Sequence, residues 1–389
     1  MNFMQSGIKG LLRRARLCLV ADSSPSPIRK GARLSWPDSA RGLAILLVVL
    51  HHTIQWLLLH DTIPAYWSLI TEFLRTLRMP LFFGVSGLFA VSWAYGKSWR
   101  ELAANKLAML FWVYCFWCLI RWVFFTVAPR AGTPEPFYFS RLIAAPLWPT
   151  NELWFLYALI VFFVVSKLFR RWPVAVLLVS AVVSAVSLSG IIPFPNGAWE
   201  GMGSYYFFFS LGLFFRDWVL HVVPRLRLLS LVSLSIIWSA TYIVAREADV
   251  MSVVGVAVVL RVLGAGVGLI LAVHLARIHS VRWLVWMGRH TLPIYVCHVL
   301  WIVPLVVLID RFAPGGSGVF ANFYPVVVCG LSVILSLAIW MASRKLGLGF
   351  LYDLPKWLTS AMSRLSVGGR EVVSGSRRPD RDPLQADND

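Results

Sequence analysis

Residues 37–54 read PDSARGLAILLVVLHHTI, an apolar stretch with Asp38 and Arg41 near one end and the adjacent imidazoles His51 and His52 deep inside. A histidine can take or give a proton near neutral pH, so an imidazole in such a setting suits general acid–base chemistry. In a helix, Arg41 and His52 are separated by about three full turns and share a face within roughly 20°. Asp38 stands one turn before Arg41, a spacing at which the two can pair. The histidines lie roughly 20 Å from the helix mouth at about 1.5 Å per residue. One face thus carries a carboxylate and a guanidinium at its entrance and an imidazole at depth. His51 turns about 100° away from His52 and reads as its support.

A second stretch, LRTLRMPLFFGVSGLF, brings Arg75, Arg78, Pro80, Ser86 and Gly87 together. Read as the outer edge of a span, Arg75 and Arg78 either snorkel to the interface or hold an anionic acceptor or an oxyanion. Ser86 and Gly87 suit close helix approach, and a serine hydroxyl can bond across helices. Arg121 and Arg261 fall in the middle of apolar runs. A buried guanidinium needs a partner, either Glu152 at an outer edge for Arg121 or an anionic ligand such as a phosphate. After Arg261, Gly264 and Gly268 form a G-x-x-x-G pattern for close packing.

Positioning such groups requires a membrane scaffold. Of 389 residues, 58% are hydrophobic and only 14% charged, both far from the balance of soluble domains. The expected fold is all-α, a polytopic integral membrane protein of about ten transmembrane helices near 39–59, 77–95, 105–129, 152–168, 172–191, 203–221, 228–245, 250–275, 291–309 and 322–343. The short alternating segments of a membrane barrel are absent. Basic residues concentrate in alternate connections and at both ends, so the N-terminus and C-terminus are expected on the cytoplasmic side. The same distribution argues against nucleic acid as the reason for the +18 net charge.

Residues 1–37 read as a basic cytoplasmic arm, with amphipathic spacing from Ile8 to Leu19. Residues 38–345 form the membrane domain, and 346–389 a polar, mostly disordered tail. Cys115 and Cys118 form C-x-x-C inside a span, where small buried apolar residues are the simpler reading than a metal or redox pair. No metal site is expected. Outer segments 130–151 and 191–204 carry aromatic and acidic residues that suit either an interfacial belt or a lid over a sugar pocket.

The succession DSARGLAILLVVLHH, RMPLFFGVSGLF, NELWFLYAL, YYFFFSLGLFFRD and MGRHTLPIYVCHVLW resembles the acyltransferase 3 family of integral membrane acyltransferases, in the family's order and over nearly the whole apolar region. The resemblance implies transfer of an acyl group, commonly acetyl, from cytoplasmic acyl-CoA to a hydroxyl of an extracytoplasmic glycan or glycolipid. It implies the bacterial inner membrane as location and no tightly bound cofactor. It assigns the family's key histidine to His52, with Asp38 and Arg41 beside it, and gives weight to Arg78, Ser86, Gly87, Glu152, Trp154 and Tyr295. One departure concerns the donor: the basic R-x-x-R expected at the entrance to the third span is reduced to Lys106, with Arg100 upstream.

Residues and resemblance together suggest His52 as general base, with an acyl-histidine intermediate as a variant. Arg78 or Arg261 would then face the tetrahedral oxyanion. A transporter or flippase of a sugar or glycolipid, without acyl transfer, is the rival reading of ten spans with intramembrane charge.

Overall fold

The computed structural model describes residues 34–127, 139–149, 152–312, 318–355 and 357–358. The basic arm up to residue 33, with its amphipathic spacing, Cys18, Arg130 and the tail beyond 358 lie outside the described residues. Among the described residues all regular elements are helical.

The principal helices are α1 (Trp36–Leu59), α2 (Tyr66–Leu88), α3 (Ala108–Val127), α4 (Trp154–Leu168), α5 (Pro173–Ser189), α6 (Gly197–Phe214), α7 (Leu228–Glu247), α8 (Val256–Arg277), α9 (Arg282–Arg289), α10 (Thr291–Phe312) and α11 (Tyr324–Lys345). Helix α1 opens with Pro37 and Asp38 in its first turn, the residue types suited to an N-terminus that needs no proline N–H and favours negative charge. A π-helical turn, Ser92–Gly96, prolongs α2. Ser98 and Glu101 then form a reciprocal capping box before the chain enters α3 through a second π-helical stretch, Leu102–Leu107.

Among the described residues, seven helices are long and apolar enough to cross a membrane, and eight if α6 is joined to the following Arg216–Arg225 across a 72° bend. The expected fourth and fifth spans are present as helices α4 and α5, but of only 15 and 17 residues. At about 1.5 Å per residue each falls short of a hydrocarbon core roughly 30 Å thick.

The second span departs from the sequence reading. It begins at Tyr66, not near residue 77, because the first turns, although interrupted by polar residues, pack their aromatic and polar side chains against α7. The Phe73 ring stacks 4.0 Å from Trp238, and the Trp238 indole donates to the Thr76 hydroxyl at 3.0 Å. Arg78 therefore sits well inside α2, only 3% exposed, rather than at an outer edge. Pro80 is likewise interior. Lacking an N–H, it leaves the Thr76 carbonyl without its helical donor, and that carbonyl is where Gly264 of α8 makes its closest approach.

Other close crossings bind the bundle around the same helices. A side chain on Gly87 would collide with the Phe209 carbonyl of α6, and one on Gly212 with the Gly84 carbonyl of α2. Helix α9 crosses α1 in the same manner, Gly288 against the Asp38 carbonyl and Gly42 against that of Leu284. Such contacts bring backbones together where the hydrophobic effect gives helices no preference for one another over lipid. Beyond α11 the chain turns back through Gly349–Leu351. The Trp112 and Trp117 indoles of α3 donate to the Phe350 and Leu351 carbonyls at 2.8 and 2.6 Å.

Candidate active site

A cavity of about 290 Å³ opens among α1, α2, α6, α10 and the segment leading into α4. Helix α1 lines it with His51, His52 and Gln55, and α2 with Arg75, Arg78 and Phe82. Glu152 and Trp154 come from the start of α4, and Tyr295 from α10. Helix α6 offers Gly197, Gly201 and Ser204, followed by Tyr205; these small residues at helical spacing leave the open volume. The Asn196 side chain caps this helix by accepting from the Ala198 and Trp199 amides, each at 3.0 Å, which fixes where its first turn meets the cavity.

The two histidines have different neighbours. The His51 Nδ1 lies 2.7 Å from the Thr71 hydroxyl of α2. The His52 Nδ1 donates to the Gln55 amide oxygen at 3.1 Å, so neutral His52 holds its proton on Nδ1 and keeps a lone pair on Nε2. Their rings are 5.1 Å apart.

On its other side, His52 meets a residue the sequence reading passed over. The His298 ring of α10 lies 5.2 Å away and is 1% exposed. Its Nδ1 donates to the carbonyls of Tyr295 at 2.6 Å and Ile294 at 3.2 Å. Its buried Nε2 has no hydrogen-bond partner among the described residues. The signal was present in IYVCHVLW: an imidazole within an apolar run, one turn after Tyr295, carries the same cost that singled out His51 and His52.

Arg121 and Glu152 form an ion pair, which gives the mid-span guanidinium of α3 an acid from the outer edge. The Tyr295 hydroxyl donates to the Glu152 carbonyl and accepts from the Phe155 amide at 3.2 Å, tying α10 to the start of α4. A side chain at Gly201 of α6 would collide with the Trp154 ring. Arg75, Arg78 and Arg261 all lie within electrostatic reach of the Tyr205 hydroxyl, and Arg78 also within reach of both His51 and His52.

The remaining expected site residues stand apart from the cavity. Ser86 donates to the Phe82 carbonyl of its own helix at 2.8 Å. Asp38, 1% exposed, accepts from the Arg289 guanidinium of α9 at 3.1 Å, a partner 251 residues away that spacing within α1 could not reveal. The Arg41 guanidinium lies 3.6 Å over the Phe89 ring. Lys106 approaches the Phe163 ring at 5.8 Å and is close enough to Arg41 for the two charges to interact. Arg41 and Lys106 therefore make a basic cluster near the N-terminal end of α1, while His52 serves the cavity nearer its other end.

Known proteins resemble the chain in part. It is 26% identical over 216 residues to inner membrane protein YcfT of Escherichia coli, covering 50% of this chain and 59% of that protein. It is 29% identical over 190 residues to nodulation protein NolL of Sinorhizobium fredii, covering 46% and 48% respectively. The NolL of Mesorhizobium japonicum is 25% identical over 206 residues, 51% and 53% of the two chains. The matched stretch thus spans about half the length of these curated relatives. No solved structure matches significantly. Residues 34–343, which hold the cavity and the basic cluster, match the model of the acyltransferase domain known as Acyl_transf_3, and the chain belongs to that family.

Proposed function

We propose that the chain is a multi-pass O-acyltransferase of the bacterial inner membrane that moves an acetyl group from cytoplasmic acyl-CoA to a hydroxyl of an extracytoplasmic glycan or glycolipid. In this reading the α4 and α5 segments complete ten crossings, and both termini are cytoplasmic. The observation that carries it is His52: an imidazole lining a cavity at depth, with Nδ1–H held by Gln55 and the Nε2 lone pair left for a substrate proton.

The chemistry is a displacement at a thioester. The acceptor hydroxyl oxygen attacks the thioester carbonyl carbon while His52 Nε2 takes its proton. The tetrahedral intermediate collapses, the carbon–sulfur bond breaks, and the leaving thiolate receives that proton from the imidazolium. The guanidinium charges beside the cavity offset the negative charge that develops on the carbonyl oxygen. Arg41 and Lys106 suit the anionic nucleotide end of the donor, with Arg100 nearby in sequence. About eleven residues of α1, or ~17 Å, separate Arg41 from His52, a gap for the extended pantetheine arm to span. Glu200, Trp154 and the small residues of α6 suit a sugar approaching from the outer connections.

Release of free CoA by the purified protein, dependent on added acceptor, tests the reading. Transport of an acceptor without consumption of acyl-CoA would overturn it and favour the flippase.

A further inference from the structure

Two guanidiniums, Arg75 and Arg78, line the cavity, a third, Arg261, lies within electrostatic reach of the lining residue Tyr205, and the neighbouring acids are largely engaged elsewhere. Arg78 is 3% exposed and Arg261 7%, and the Nε of each is buried without a hydrogen-bond partner among the described residues. Arg78 faces the cavity, and neither a hydrogen bond nor an ion pair joins it to any described residue. Arg261 donates to the Ala257 carbonyl of its own helix at 3.0 Å, a dipole and not a counter-charge. Arg75 stands at the mouth of the same wall. Of the carboxylates within reach, Glu152 is paired with Arg121 and Glu72 with Arg246 at 3.5 Å. Glu200 remains beside Arg75.

A buried guanidinium without a counter-charge is costly in a membrane interior. A tetrahedral oxyanion exists only transiently and does not relieve that cost in the resting protein. An anionic group on a substrate relieves it for as long as that substrate is bound, and guanidinium suits the planar, bidentate recognition of carboxylate or phosphate.

We propose that Arg78, with Arg75 and Arg261 around Tyr205, forms a binding subsite for an anionic group, a carboxylate or a phosphate, carried by one of the two substrates. The inference rests on the acyl-transfer reading for what delivers the anion, but not for the binding itself. Two substrates can supply it: an acceptor bearing a phosphate or acidic sugar, or a dicarboxylic acyl group on the donor. Because Arg78 is also within electrostatic reach of His52, an anion held there lies next to the reacting centre in either case.

The binding arm uses the purified full-length protein in lipid nanodiscs. Thermal unfolding is followed with succinate, inorganic phosphate and, as the neutral control, glucose. The expected result is saturable stabilisation by at least one anion and none by glucose, with affinity weakened about 10- to 100-fold in Arg78→Gln, the loss typical of a charge-assisted hydrogen bond. Arg75→Gln, at the exposed mouth, should weaken it in the same sense and covers the case in which Arg78→Gln does not fold. His52→Ala should bind the anion as the parent does while losing acyl transfer, so a failure of the subsite and a failure of the base are read separately. Two turnover arms then identify the source. A preference for succinyl-CoA over acetyl-CoA that Arg78→Gln abolishes assigns the anion to the donor. A preference for glucose 6-phosphate over glucose, lost in the same variant, assigns it to the acceptor. Anions that stabilise no more than glucose, or undiminished binding in both arginine variants, would overturn the proposal.

Discussion

His52 of α1 and His298 of α10 face each other with ring centroids 5.2 Å apart, and each has its Nδ1 engaged within its own helix, on Gln55 and on the Tyr295 carbonyl respectively. Each neutral ring therefore keeps its lone pair on Nε2, and that of His298 is buried without a hydrogen-bond partner among the described residues. In the proposed reaction His52 receives the acceptor proton, and His298 stabilises the imidazolium that results.

Replacing His52 by Ala should lower acyl transfer by about 10²–10⁴-fold, the usual contribution of a positioned general base. Membrane abundance should be unchanged, since the ring lines a cavity and leaves no collapsed core behind. Turnover of acyl-CoA by equal amounts of purified protein measures this. Full activity in the variant would remove His52 from the mechanism.

For His298, His298→Phe keeps an aromatic ring and removes the lone pair. We expect kcat to fall about 10- to 100-fold, in line with one hydrogen bond to a charged group, with the KM for acyl-CoA unchanged. His298→Gln, which restores an acceptor, should recover part of the loss. A matching fall in thermal stability without an effect on kcat would make the residue a packing element instead.

The Arg121–Glu152 pair makes a stability prediction. Glu152→Gln leaves a guanidinium that is almost fully buried and should destabilise by about 3 kcal/mol, the lower end for breaking a buried pair because a quarter of the Glu152 side chain stays exposed. Arg121→Met combined with Glu152→Gln should recover much of that loss. Denaturation of the single and double variants in one detergent gives the coupling directly.

At the basic cluster, Arg41→Ala and Lys106→Ala should raise the KM for acyl-CoA while leaving that for the acceptor near its parental value. The increase should shrink as salt rises, as expected if these charges act on an anionic donor close to water. An effect confined to acceptor KM would move the donor site elsewhere.

Much of this arrangement could be read along the chain. The cost of charge in a span singled out His51, His52, Arg121 and Arg261, and of the two partners considered for Arg121, Glu152 is the one it has. What escaped depends on contacts between distant segments. Arg289 became visible as the partner of Asp38 only once Gly288 let α9 lie against α1. The depth of Arg78 was missed because Ser68, Thr71, Glu72, Arg75 and Thr76 interrupt the apolar residues of 66–76; their helix packs against Trp238 of α7. Ser86 satisfied the pattern for a contact across helices and instead bonds within its own. His298 required no tertiary knowledge, only the rule already applied to α1.

Because Gln55 holds His52 and the Tyr295 carbonyl holds His298, neither ring depends on the other helix for its tautomer. Parting α1 from α10 would widen the gap between the imidazoles while leaving each oriented as before. In the proposed reaction, a movement of whole helices that admitted a bulky acceptor would therefore leave the proton of each imidazole where it was.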